Sequence, residues 1–231
     1  MSAIAPLLLV LAISILLGLL IYWLLVTTEG VYLGRRVVTW LYDITAHRYD
    51  AIKEYDPDDE RLLVTRPVLS ALQGLAQPRL LDVATGTGRV PHDLLQSRRF
   101  SGTIVALDDS RRMLEVARKK LQGHAECVTL LQHPAVPLPF ADEQFDLVTC
   151  LEALEFFPSD EAAVREMVRV LCKGRFLFVT RRRGLEGKLF LHRFRSRDNM
   201  QAMLEKVGLG QVQFHPWQVN YDLVTAIKPI S

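Results

Sequence analysis

Between Pro78 and Thr180 short apolar runs alternate with amphipathic ones, and that alternation restricts the fold more than anything else in the chain. The runs "RLLDVA", "GTIVALD", "CVTLLQ", "FDLVTCL" and "RFLFVT" are strand-length and apolar throughout. Between most of them lie helix-like segments, "RVPHDLLQ", "SRRMLEVARKKLQ" and "DEAAVREMVRVL". A strand that is apolar on both faces must be covered on both, so the pattern predicts βαβ units and a mostly parallel sheet between two helix layers. Beyond it, "RDNMQAMLEKVGL" reads as a helix stopped by glycine. "GQVQFHP" and "YDLVTAIK" read as an antiparallel hairpin that closes one edge, which brings the expected sheet to seven strands.

The N-terminus obeys a different rule. Positions 6–26, "PLLLVLAISILLGLLIYWLLV", carry no charge, and at about 1.5 Å per residue they reach about 31 Å, the thickness of a bilayer's hydrocarbon. "MSAIA" has no basic n-region, the run exceeds a signal-peptide core and no A-x-A site follows, so a retained single-pass anchor is expected. Tyr22 and Trp23 suit an interfacial aromatic belt. Arg35 and Arg36 place the following domain on the cytoplasmic side by the positive-inside rule. The expected organisation is an anchor over 1–28, juxtamembrane and cap helices over 29–77, and an α/β core over 78–231.

Two classes of partner are excluded by charge and cysteine usage. The formal charge of +2 gives no polycation for nucleic acid, and Cys127, Cys150 and Cys172 offer neither a CxxC pair nor a metal-ligand spacing, so no metal site is expected.

In an open α/β sheet ligands sit beyond the carboxyl ends of the strands, which directs attention to "LDVATGTGRVP" after the first strand. A P-loop needs Lys and Ser/Thr after its last glycine, whereas Gly88 is followed by Arg89 and Val90. A dinucleotide turn needs a third glycine where this chain has Pro91. Asp82 would repel a pyrophosphate and attract an amine. Asp108, at the end of the second strand, has the spacing of an acid that accepts from ribose hydroxyls. Ser110 is placed to cap the next helix, with Met113 turned toward an adenine face. An amine, a ribose and an adenine without phosphate describe S-adenosylmethionine.

On "LLDVATGTGRV", "ALDDSRRMLEVARKKL", "PLPFADEQFDLVTCLEALEFF" and "YDLVTAIKP", in that order, the chain from about Tyr42 to Pro229 resembles the class I S-adenosylmethionine-dependent methyltransferases. Within them it most resembles the broad group related to ubiquinone and menaquinone biosynthesis C-methyltransferases. The resemblance implies a Rossmann-like sheet and a cofactor site made of Asp82, Ala84, Thr85, Gly86, Gly88, Asp108, Asp109, Met113, Cys150 and Leu151, with Tyr49 of "AHRYD" near the cofactor carboxylate. Ala84 replaces the first glycine of the family pattern. "QHPAVPLPF" lacks the acid that receives the adenine amine in many relatives, leaving His133 or backbone carbonyls for that contact.

Methyl transfer from a sulfonium is an in-line displacement that positioning alone can promote. His92, His133, Glu152 and Glu155 are the candidate bases, and no catalytic residue is nominated among them. The run 181–197 holds Arg181, Arg182, Arg183, Lys188, Arg193, Arg195 and Arg197 against Glu186, interleaved with apolar residues, and is expected to meet anionic lipid or an anionic amphiphile. The expected function is methyl transfer to a lipophilic acceptor such as a quinone, a phenol or a lipid at a membrane. The competing readings are a scaffold without activity and a nicotinamide oxidoreductase. "YDAIK", Tyr49 to Lys53, has a dehydrogenase-like Y-x-x-x-K spacing but precedes the glycine turn, where those enzymes place it far after.

Overall fold

The computed structural model describes residues 4–53 and 56–230; residues 1–3, 54–55 and 231, which belong to the three expected segments, lie outside the described residues. Helix α1 (Ile4–Tyr22) continues in a wider turn to Thr27, and by length and composition this stretch can cross a membrane, with none of it buried against the protein. Four helices follow: α2 (Arg35–Thr45), α3 (Tyr49–Lys53), α4 (Pro57–Glu60) and α5 (Arg66–Ala71). The core then runs β1 (Arg79–Val83), α6 (Arg89–Leu95), β2 (Thr103–Asp108), α7 (Arg111–Lys120), β3 (Val128–Gln132), β4 (Phe145–Cys150), α8 (Asp160–Val170), β5 (Leu171–Arg182), α9 (Gly184–Leu189), α10 (Arg197–Lys206), β6 (Gly210–Trp217) and β7 (Tyr221–Ile227).

The sheet order is β3-β2-β1-β4-β5-β7-β6. β1 to β5 pair in parallel, while β7 runs antiparallel to both β5 and β6. The continuous apolar runs have a direct explanation in the two-faced core. Leu80, Leu147 and Phe178 pack on one face with Val68, Leu94 and Trp217, whereas Leu81, Val148 and Val179 pack on the other with Met167 and Leu204. Successive strand residues point to opposite faces, so both must be apolar. Burying each such side chain contributes about 1.5–3 kcal/mol. β5 is longer than "RFLFVT" suggests. It starts at Leu171, because the antiparallel pairing with β7 and a register irregularity beside Phe145 extend the ladder in both directions.

The chain reverses its spread at β1, whose neighbours are β2 and β4. A crevice forms there beyond the carboxyl ends of the strands, and the cap helix α2 lies across it, in contact with α7.

Candidate functional site

The crevice is a cavity of about 400 Å³. Of the residues expected from sequence, Tyr49, Ala84, Gly86, Asp108, Asp109, His133 and Leu151 line it. Asp82, Thr85, Gly88, Met113 and Cys150 do not, and each has a different position. Asp82 is buried beneath the turn, where its Oδ1 accepts from Thr149 Oγ1 at 2.5 Å. Burial pushes its carboxyl up to about 6, against the hydrogen bond from Thr149. Thr85 is buried, its N–H donating to Leu107 O. Met113 is on the buried side of α7, and Cys150 is buried within β4, its thiol pushed well up by burial.

The two glycines of the turn have separate duties. Both have positive φ, +56° at Gly86 and +76° at Gly88. A Cβ on Gly86 would enter open space on the cavity side, whereas one on Gly88 would stand 3.1 Å from Ala117 Cβ and 3.1 Å from Leu121 Cδ1. Gly86 therefore keeps the cavity wall open, and Gly88 lets α6 and α7 meet.

Asp108 is held by backbone amides. Gly86 N donates to Oδ2 at 2.8 Å and Ser110 N to Oδ1 at 2.8 Å, which fixes the carboxylate plane and leaves lone pairs on both oxygens. Burial, the larger effect, pushes its carboxyl up to about 6 against these two bonds. Ser110 caps α7 through Met113 N at 3.1 Å. Asp109 Oδ2 accepts from Thr39 Oγ1 at 2.9 Å and lies 3.5 Å from Arg35 Nε. Among the described residues, the wall carries the carboxylates of Asp108, Asp109 and Glu152 against the guanidinium of Arg35. Such a wall suits a cationic ligand and opposes a polyphosphate. Leu107, Ala135, Val136, Leu151 and Phe156 supply an apolar lining on which a flat ring can rest.

Two buried ionic networks flank the cavity, and sequence reasoning missed both. Arg89, next to the glycine turn, reaches Glu60 Oε1 at 3.2 Å and Glu152 Oε1 at 3.0 Å, while Lys53 Nζ meets Glu152 Oε2 at 3.0 Å. Glu152 adopts φ +54°, a left-handed conformation costing a non-glycine residue about 1–3 kcal/mol. Its N–H donates to Thr180 Oγ1 at 2.6 Å. In the second network Glu155 Oε1 accepts from Arg182 Nε at 2.8 Å and from Tyr221 Oη at 2.7 Å. Glu29, just after the apolar helix, joins this cluster through Arg182 Nη2 at 3.9 Å and accepts from Tyr42 Oη at 2.8 Å.

These contacts limit the chemistry of the candidate bases. Burial alone would raise the Glu152 carboxyl, but Arg89 and Lys53 bring it below the usual range, so it stays ionised and accepts a proton poorly. Glu155 is committed to Arg182 and Tyr221. His92 is not among the residues that line the cavity, and its Nδ1 lies 3.0 Å from Asp93 Oδ1. His133 lines the cavity beside Asp108, with Nδ1 2.8 Å from Pro134 O.

The basic run is narrowed as a lipid-facing surface, because most of its charges turn inward. Arg181 and Arg197 hold the buried Asp222 at 2.7 and 3.0 Å, Arg195 pairs with Asp160, Arg193 donates to Phe157 O, and Arg183 donates to Gln218 O and Val219 O. Lys188 is exposed. The signal available in the sequence was the separated acids Glu155, Asp160 and Asp222, whose pairing only the fold determines. Arg35, Thr39 and Tyr42 of α2 also escaped sequence reasoning, since nothing local ties that helix to the strand ends.

Comparison with known proteins agrees with this geometry. Residues 81–179 match the family described as Methyltransferase domain. The chain is 32% identical over 139 residues to the demethylmenaquinone methyltransferase of Thermus thermophilus; the match takes in 60% of this chain and 63% of that one, less than two thirds of its length. The structure superposes on a SAM-dependent methyltransferase from Aquifex aeolicus with a TM-score of 0.58 and 20% identity, covering 75% of this chain and 99% of that one. It also superposes on the [4+2]-cyclase SpnF with a TM-score of 0.70 and 18% identity, covering 86% of this chain and 97% of the other. At these identities the structural likeness concerns the fold. With residues 81–179 matching a methyltransferase domain, on a seven-stranded sheet whose crevice is acidic among the described residues, the chain is similar to the S-adenosylmethionine-dependent methyltransferases.

Proposed function

We propose that the chain is a membrane-anchored, S-adenosylmethionine-dependent methyltransferase acting on a lipophilic small molecule at the membrane surface. The observation that carries this reading is the Asp108 carboxylate, oriented by the amides of Gly86 and Ser110 at the wall of an acidic cavity of about 400 Å³. Asp108 would accept from the ribose hydroxyls, Ala84 and Gly86 would admit the methionine portion, and His133, Ala135 and Val136 would bound the adenine. Asp82 would act from beneath the turn through its charge. When bound, the cofactor supplies the activated methyl group. The chain's own residues then contribute position and exclusion of water, with Leu151, Phe156 and Phe157 forming a dry wall. The ionised Glu152 would favour the positive sulfonium through space.

The acceptor follows from two features. The apolar helix at Ile4–Thr27 is long and apolar enough to hold the domain at a bilayer, and the relative compared above is named a demethylmenaquinone methyltransferase. A quinone or phenol ring with an apolar tail is thus the favoured acceptor class, reached from the cytoplasmic face on the strength of Arg35 and Arg36. The test titrates the detergent-solubilised full chain with S-adenosylhomocysteine and with NADH. Binding of the former alone is expected, and binding of NADH alone, or of neither, refutes the reading. Membranes incubated with a labelled methyl donor should then transfer label to a lipid-extractable product.

A further inference from the structure

Helix α2 has two working sides. Arg35, Val38, Thr39 and Tyr42 line the cavity, and Asp43 accepts from Ser110 Oγ at 2.6 Å and Arg112 N at 3.2 Å, which fastens the helix over the start of α7. Arg36, Trp40 and Ile44 recur every fourth residue on another side, centred roughly 140° round the helix at 3.6 residues per turn. Trp40 is 55% exposed and Ile44 49%, and Leu33 is exposed just before the helix. An indole and two aliphatic side chains beside an arginine make an amphipathic surface with no partner among the described residues to cover its apolar members.

The connection to α1 says what covers it. Tyr32 stacks on Trp23 with ring centroids 4.9 Å apart. Gly30 N donates to Leu24 O at 2.8 Å, Thr28 Oγ1 donates to Trp23 O at 2.9 Å, and Thr28 and Val31 are buried. Positive φ at Gly30 and Gly34 turns the chain back on itself. This is a pinned corner, so α2 begins within three residues of a ring stacked on the last turns of the apolar helix. If that helix crosses a bilayer, α2 starts at the headgroup layer.

We infer that α2 is an interfacial helix: its outer side, Arg36, Trp40 and Ile44, together with Leu33 just before it, lies in the headgroup region of an anionic bilayer while its inner side roofs the cofactor cavity. This rests on the membrane-anchored reading above and deepens it. The roof of the cavity would then be the protein layer that meets the membrane, and an acceptor dissolved in lipid would approach the site past α2 without crossing water. Arg36 provides attraction for anionic headgroups, while Trp40 suits the boundary between headgroup and acyl chain.

The test uses the full chain in lipid nanodiscs containing phosphatidylglycerol, with phosphatidylcholine either unmodified or brominated near the top of its acyl chains. In a W23F background the remaining tryptophans are Trp40 and the buried Trp217. Brominated lipid should quench W23F fluorescence, and the W23F/W40F variant should show no such quenching. Equal emission of W23F in the two lipids overturns the inference, as does protection of Trp40 by a second copy seen as a dimer in sedimentation. Alkaline carbonate extraction separates the two levels. A chain that resists extraction while Trp40 stays unquenched is anchored without an interfacial α2, and a chain released by carbonate removes the anchor and this inference together. S-adenosylhomocysteine affinity of W40S/I44S in detergent should equal that of the parent, since neither side chain lines the cavity. A loss there would mean that the outer side serves the fold of the roof instead.

Discussion

Substituting alanine at each glycine of the turn separates cofactor contact from helix packing. Both positions have positive φ, so an added Cβ costs about 1–2 kcal/mol in either place. At Gly86 that is the whole stability cost, because no atom lies within 4 Å of the new methyl group. At Gly88 the methyl meets Ala117 Cβ and Leu121 Cδ1, each at 3.1 Å, and both residues are buried, so a neighbour must shift to admit it. Overpacking of that kind adds about 1–3 kcal/mol. G86A should therefore lose about 1–2 kcal/mol and G88A about 2–5 kcal/mol, which at roughly 2–4 °C per kcal/mol separates their melting temperatures measurably. Ligand affinity should order them the other way. The Gly86 methyl projects where the methionine portion would lie, and a clash of about 1–3 kcal/mol weakens S-adenosylhomocysteine roughly 5- to 150-fold. G88A, assayed below its melting temperature, should bind nearly as the parent does. Differential scanning fluorimetry and calorimetric titration of the full chain in detergent supply both numbers. Parental affinity in G86A, or selective loss of affinity in folded G88A, would refute the division of labour.

Three further outcomes follow from the buried charges. Asp82 has a folded-state carboxyl raised to about 6 by burial, so the stability it contributes is present below its unfolded pKa near 4 and is lost as pH rises through 6; about two units correspond to about 3 kcal/mol. Asp82→Asn, which keeps an acceptor for Thr149, should raise the melting temperature at pH 8 and converge with the parent near pH 4. Arg89→Met leaves Glu60 and Glu152 buried without their guanidinium and should cost about 3–5 kcal/mol in urea denaturation, part of it recovered by R89M/E152Q. Asp222 behaves oppositely to Asp82: burial alone would raise it, but hydrogen bonds from Arg197 and Arg181 bring it below the usual range. Its contribution is present above pH 4 and lost as pH falls through the depressed value, so Asp222→Asn should destabilise at pH 7 and the difference should shrink in acid.

Much of the scaffold was legible because each signal was local. Strand and helix periods placed the elements, Ser110 capped the expected helix, and the turn at Gly86 with the acid at Asp108 located the cavity. The same local reading left the pairing of the arginines in 181–197 unseen, because charge within a window carries no record of distant acids. Asp222 lies 41 residues from Arg181, and only the antiparallel pairing of β5 with β7 brings them together.

The amino-acid order by itself determined the class of fold, the apolar span and the place of the glycine turn, since these depend on periodicity, length and backbone conformation over a few neighbours. Tertiary structure alone decided which glycine faces the cavity, that Glu152 and Glu155 are held by Arg89 and Arg182, and that α2 forms the roof. Those facts depend on which side chains the strand order brings within a few ångströms, and Coulomb and packing forces at that range respond to distance in space, whatever the separation along the chain.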